Sequence, residues 1–240
     1  DNSLTEGNIF LQFLRLTPPM LLGAFSIIVF NLVDTFFVSK LGGEQLAAIS
    51  FTFPVILVVG ALANGVGMGV ASVLSRAIGR GDNERVKRIA TDSLLLSVVI
   101  VTIVSAFGLI FMDPLFLLLG ADKALLPLIR DYMVLWFSTV AFMIIPMVGN
   151  NAVRAAGNTL FPGLIMAFSG LANVILDPIF IFGYLGFPAL GIQGAALATA
   201  LGRALSLVLS LMVLHHRFHL IVWQLPQIKE FLESCREILY

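Results

Sequence analysis

Residues 17–40 read TPPMLLGAFSIIVFNLVDTFFVSK, an apolar run whose one internal charge is Asp34. Such a run meets the roughly 20 residues that a bilayer-spanning helix needs. A carboxylate at that depth costs about 3 kcal/mol or more, so it marks a polar cavity, an ion or a proton path. Residues 160–183, LFPGLIMAFSGLANVILDPIFIFG, repeat the pattern around Asp177. Composition agrees with this reading of both stretches. Hydrophobic residues make up 59% of the chain, charged residues 12%, and mean hydropathy is +1.01, whereas soluble domains carry about 25% charged residues. The chain reads as an integral membrane protein. Its net charge is zero and its 14 cations lie mainly in loops, which gives no nucleic-acid groove. The single cysteine, Cys235, excludes an internal disulfide framework and a thiolate metal cluster.

Working outward, six apolar segments are long enough to span, at about 16–39, 46–75, 90–112, 130–153, 159–182 and 192–215. Turn residues or charges separate them: Lys40 to Glu44, Arg76 to Arg88, Asp113-Pro114 with Asp122-Lys123, Gly157-Asn158, and Gly183 to Gly191. The ~10-residue alternating segments of a membrane barrel are missing. The expected fold is all-α, a polytopic bundle of six transmembrane helices over residues 1–217, followed by a tail at 218–240. With the N-terminus in the cytoplasm, the inner side holds Arg15, Arg76, Arg80, Arg85, Lys87, Arg88, Arg154, Arg217, Lys229 and Arg236, and the outer side only Lys40, Lys123 and Arg130. Ten cations against three predict a multi-pass protein of the inner or plasma membrane with both termini cytoplasmic.

Depth follows from a rise of ~1.5 Å per residue. Asp34 falls in the outer part of the first span, and Asp177 about five residues before the fifth reaches the outer surface, with Asn173 one turn deeper on the same face. Thr199 lies about eight residues into the sixth span from outside. These four polar groups from three spans fall in the outer half of the membrane at depths that let them meet, and the carboxylates of Asp34 and Asp177 are expected within reach of one cation or one shared proton. Asn64, Asn150 and Asn151 fall near the inner ends instead. Pro178 cannot donate to the Val174 carbonyl, so a bend is expected beside Asp177, and Pro54 and Pro146 predict bends in the second and fourth spans. Gly60, Gly65, Gly67, Gly69 and Ala71 read as a packing surface. Arg203 sits near mid-membrane and must find a partner or snorkel inward. His215, His216 and His219 read as a solvated helix end, since no acidic or Cys ligand stands near them.

Several stretches together resemble the multidrug and toxic compound extrusion (MATE) transporters, and specifically their N-terminal lobe. They are Asn31-Leu-Val-Asp34-Thr-Phe-Phe-Val with Leu41-Gly42, Arg76-Ala-Ile-Gly79-Arg-Gly81-Asp82, Arg154-Ala-Ala-Gly157-Asn158, Asn173-Val-Ile-Leu-Asp177-Pro178, and Gly194-Ala-Ala-Leu-Ala-Thr199. The resemblance covers about residues 8–217, and it rests on joint order and spacing, since each motif alone is weak. It implies one lobe of a twelve-helix antiporter that exports drugs or other bulky, often cationic compounds against Na⁺ or H⁺. It also implies a cation or proton site at Asp34, Asn173, Asp177 and Thr199, which would hold Na⁺ if coupling is to sodium. Pro18, Pro19 and Gly23 are then candidate bend points in the first helix, beside Pro178. No cofactor is implied beyond the transported ion, and no enzyme activity.

After six spans the stretch 228–240 has apolar residues at helical spacing with a charged face, as if leading toward a seventh helix. The expectation is a half-transporter whose partners are a small-molecule drug, membrane lipid, and a missing C-terminal lobe or a second copy of itself. Two rival readings are a flippase of the same superfamily for lipid-linked substrates and a non-transporting membrane subunit. An intramembrane aspartyl protease is suggested by Gly79-Arg-Gly81-Asp82, but it needs both Asp in the membrane. Asp82 instead lies among Arg76, Arg80, Glu84, Arg85, Lys87 and Arg88 in a loop.

Overall fold

The computed structural model describes residues 9–220 and 228–239, and every regular element among them is helical. The long helices are α1 (Ile9–Ser39), α2 (Gly43–Gly79), α3 (Asn83–Ile110), α5 (Leu126–Thr139), α6 (Ala141–Ala155), α7 (Leu160–Phe182) and α8 (Ile192–Met212), with a short α4 (Met112–Leu118) and a terminal α9 (Ile228–Leu239). Five of the helices are long and apolar enough to cross a membrane, and α5 with α6, bent by 44° at their junction, are together long and apolar enough for a sixth. Only 11–33% of the most apolar window in each of the five is buried inside the bundle, so most of that surface is available to lipid.

The fourth span corrects the sequence expectation of one helix over 130–153 bent at Pro146. The break falls at Val140, six residues earlier, where no Pro or Gly stands. Three hydroxyls bond the backbone carbonyls that precede it. The Ser105 hydroxyl of α3 donates to the Phe137 carbonyl at 2.9 Å, while the hydroxyls of Ser138 and Thr139 donate to the carbonyls of Val134 and Leu135 at 2.7 and 2.8 Å. Hydroxyls that take carbonyls from the helical ladder bend it. Conversely, α2 and α7 run unbroken through Pro54 and Pro178, and α1 through Pro18 and Pro19. The short α4 replaces a predicted loop at Asp113-Pro114, because Pro suits the first turn of a helix as well as a break. Arg130 pairs with Asp113 and ties α4 to α5.

Two buried clusters fill the bundle. One gathers Phe116, Met133, Trp136, Phe137 and Ile144 with Val38 and Ile181, and the other gathers Val70, Leu74, Ile89, Val153 and Leu214. The predicted packing surface of α2 is half right. A Cβ on Gly67 would strike Asn151 and one on Gly69 would strike the Ile238 backbone, but Gly60 and Gly65 face open space. Between α1 and α7 contact is at backbone distance: a Cβ on Gly163 would strike the Pro19 carbonyl, and one on Gly23 would stand 3.2 Å from Met166 Sδ. Gly183 ends α7 at φ +76, where a side chain would meet Ala189 N and Phe187 O at 2.7 Å. The amides of Leu190 and Gly191 then return to the Phe180 and Ile181 carbonyls, which turns the chain directly into α8.

The tail helix α9 is docked on the ends of α2 and α3. Arg85 pairs with Glu237 at 2.5 Å, Arg88 pairs with Glu230, and the Ser234 hydroxyl donates to Asp92 Oδ2 at 2.5 Å. Residues 221–227, within the predicted 218–240 tail, lie outside the described residues. The Cys235 thiol is buried on the inner face of α9, and this burial, with a lesser contribution from Asp92, pushes its pKa up. Since the thiolate is the reactive form, Cys235 should resist alkylation in the folded lobe. Reversing both acids, Glu230→Lys with Glu237→Lys, is expected to detach α9 and raise the rate of maleimide labelling by about tenfold or more. Labelling that stays slow would mean that α9 holds by its apolar face alone.

Candidate functional site

The chain direction alternates through the bundle, so α1 ends, α5 begins, α7 ends and α8 begins on one side. Measured from that side, Asp34 is five residues in from Ser39, Asp177 five from Phe182, Tyr132 six from Leu126 and Thr199 seven from Ile192. At ~1.5 Å per residue these groups share a level about 8–10 Å inside the helix ends.

Local packing turns them toward one another. Asn173 and Asp177 lie one turn apart on the same face of α7 and are 3% and 0% exposed. The Ser169 hydroxyl, one turn below, donates to the Gly202 carbonyl at 2.6 Å, and a Cβ on Gly202 would stand 3.4 Å from Asn173 Cβ. That contact brings the Thr199–Gly202 face of α8 against the Asn173 face of α7. Asp34 of α1 and Asp177 of α7 are within electrostatic reach of each other. The structure therefore sets Asn173, Asp177 and Thr199 on the facing sides of α7 and α8, with Asp34 of α1 at the level of Asp177.

What distinguishes the cluster is its unspent acceptors. Asp34 Oδ1, Asn173 Oδ1, both carboxylate oxygens of Asp177 and Thr199 Oγ1 are all sealed from solvent without a hydrogen-bond partner in the protein. A buried polar atom left unsatisfied costs about 1–3 kcal/mol, and five in one place would rival the whole stability of a domain. Oxygen-only donors, two of them carboxylates, suit a hard cation such as Na⁺, or a proton shared between the acids. Among the described residues no group of three His, Cys, Asp or Glu could hold a metal ion, so a transition-metal reading has no ligand set here.

Three residues complete the surroundings, and sequence reading had not joined them to the site. Arg203, one turn deeper than Thr199 on α8, places its guanidinium carbon 5.6 Å from the centre of the Trp136 ring, a cation–π contact. Its charge also acts on Asp34. Tyr132, 4% exposed, lies within electrostatic reach of Asp34, Arg203 and Asp177. Tyr132 escapes the depth count because a fourth span beginning at about residue 130 puts it near the outer surface, whereas the helix begins at Leu126. Asn150 and Asn151 lie at the far end. The Ser210 hydroxyl donates to Asn150 Oδ1 at 3.3 Å, and Asn151 donates to the Met147 carbonyl at 2.8 Å. His215 and His216 stack edge to face at the end of α8, away from the cluster.

Five helices long and apolar enough to span, with a sixth bent candidate, around buried acids define a multi-pass membrane protein. The MatE family profile matches residues 19–179, and the chain belongs to the MATE family. It is 47% identical over 85% of its length to an FAD transporter of Shewanella oneidensis, covering 46% of that protein, and 30% identical over 84% to the multidrug export protein MepA of Staphylococcus haemolyticus, covering 44% of it. The chain thus spans about half the length of the curated relatives it matches. The crystal structure of the Vibrio cholerae MATE transporter VcmN in the bent form superposes with a TM-score of 0.85 at 31% identity, over 95% of this chain and 52% of that one. A MATE structure in a straight conformation matches at 0.86, with 31% identity over 98% and 53%. These relatives are transporters, not enzymes, and Asp82 caps α3 by accepting from the Arg85 amide.

Proposed function

We propose that this chain is a cation-coupled antiporter lobe, in which Asp34, Asn173, Asp177 and Thr199 bind Na⁺ or a proton and that binding drives export of a bulky organic compound. The observation that carries the reading is the set of five partnerless oxygens from three helices at one depth. A cation or proton there would satisfy acceptors that the protein itself leaves open, and its release would make them repel or rehydrate. The cation bias at the helix ends supports cytoplasmic termini. Export requires a second lobe, supplied by further chain or by a second copy, because alternating access rocks one bundle against another.

The cargo admits two readings. The sequence resemblance favours cationic drugs, as for the multidrug export relative, whereas the greater identity to an FAD transporter favours an anionic flavin nucleotide. Proteoliposomes containing the protein, loaded with FAD or with ethidium under an imposed Na⁺ or H⁺ gradient, separate the two. Gradient-driven flux of either cargo, by the lobe or by the lobe joined to its second half, supports the reading. Cation binding without any gradient dependence of flux would sink it.

A further inference from the structure

Away from the acidic cluster, at the opposite end of the bundle, the structure holds a cavity of about 310 Å³ lined by Val73, Arg76, Ala77, Arg80, Arg85 and Glu237. Three elements build it: α2 supplies two arginines and an apolar floor, α3 the third arginine, and α9 the one acid. Arg85 is already engaged by Glu237 at 2.5 Å. Arg76 donates to the Ser72 carbonyl through Nε at 3.4 Å, and among the described residues neither Arg76 nor Arg80 forms an ion pair.

Loose basic residues at the inner end of spans are common, and the charge bias alone accounts for them. A walled cavity is a different matter. Convergent guanidinium groups on a concave surface present forked donors that match the oxygens of a phosphate. Three arginines against one glutamate leave an excess positive charge. The volume is at the lower limit of small-molecule sites, enough for a phosphate with a short ester stem against Val73 and Ala77 and too small for a bulky cargo.

We propose that the Arg76–Arg80–Arg85 cavity is a binding site for a phosphate ester group, with Arg76 and Arg80 as its principal ligands and Glu237 as an internal competitor for Arg85. The group would come from an anionic phospholipid headgroup at the membrane surface or from a soluble phosphate compound. The site is separate from the proposed cation site, and the proposal stands whether or not that reading holds.

The test uses the whole chain with two probes: nanodiscs containing phosphatidylglycerol or only phosphatidylcholine, with lipid retention read by native mass spectrometry, and inorganic pyrophosphate, titrated by calorimetry. Arg76→Gln with Arg80→Gln is expected to lower binding of at least one probe by about tenfold or more, whereas Arg217→Gln, an exposed cation at the end of α8 outside the cavity, leaves it within about twofold. Glu237→Gln is expected to strengthen binding by freeing Arg85, a gain that a folding defect would not produce. Loss confined to phosphatidylglycerol identifies a headgroup, loss confined to pyrophosphate a soluble ligand, and loss of both a site open to either. Equal weakening by Arg217→Gln, or binding unchanged in the double variant, overturns the proposal.

Discussion

Asp34→Asn is expected to abolish cation binding by the lobe, and cation-driven export wherever the lobe works within a complete transporter, while the protein still inserts and folds. The amide keeps the shape of the side chain but removes its charge and exchanges an acceptor for donors. At the site it would face Asp177, whose two carboxylate oxygens have no other partner in the protein. Truncating one member of a buried charge arrangement costs about 2–5 kcal/mol, which is roughly a 30-fold to several-thousand-fold loss of affinity. Folding is spared because Asp34 Oδ1 accepts no hydrogen bond that the fold would miss. Binding of radioactive Na⁺ and proton uptake on mixing with acid, each compared between wild type and variant, measure the effect. Wild-type uptake of both ions by Asp34→Asn would remove Asp34 from the site.

The second large effect should come from one methyl group placed far from any charge. Gly163→Ala puts a Cβ onto the Pro19 carbonyl, and backbone cannot step aside as a flexible side chain can. Overpacking of this kind costs about 1–3 kcal/mol or more, and here it acts on the contact that holds α1 to α7. Because Asp34 rides on α1 and Asp177 on α7, the same substitution should weaken cation binding as well as lower the thermal unfolding temperature in detergent. Gly170→Ala, on the same helix with its nearest neighbour at an ordinary 3.5 Å from Ser26 O, should do neither. Equal effects of the two substitutions would mean that helix propensity, and not the close approach at Pro19, decides the outcome.

Much of this architecture is legible in the sequence because a bilayer imposes a length on every span and a penalty on every charge within it. The helices carrying Asp34, Asp177 and Thr199 could be placed by counting residues, and the structure has these groups on one level. The bend at Val140 was not legible. Beside it Ser105 from another helix reaches the Phe137 carbonyl, a tertiary contact with no local signal. Pro54 and Pro178 do not interrupt their helices, since α2 and α7 continue through them. Likewise Arg203 showed in the sequence that it needed a partner, but only the fold sets it over Trp136. The amphipathic stretch 228–239 announced a helix, while its anchorage through Arg85, Arg88 and Asp92 depends on residues about 140 positions away.

The slender seating of α1 makes the lobe its own ion gauge. That helix, 11% buried over its most apolar window, rests chiefly on α7 and yet carries one of the two acids. An ion that bridges Asp34 to Asp177 would therefore act as a rivet across the one seam on which α1 chiefly depends. By mass action, a ligand held only by the assembled form stabilises it by about 2.7 kcal/mol at 100 times its dissociation constant, and so raises the melting point as its concentration rises. Heating the purified lobe in Na⁺, K⁺ or acid would thus rank the ions by how firmly each closes that seam, with no cargo, no gradient and no second lobe.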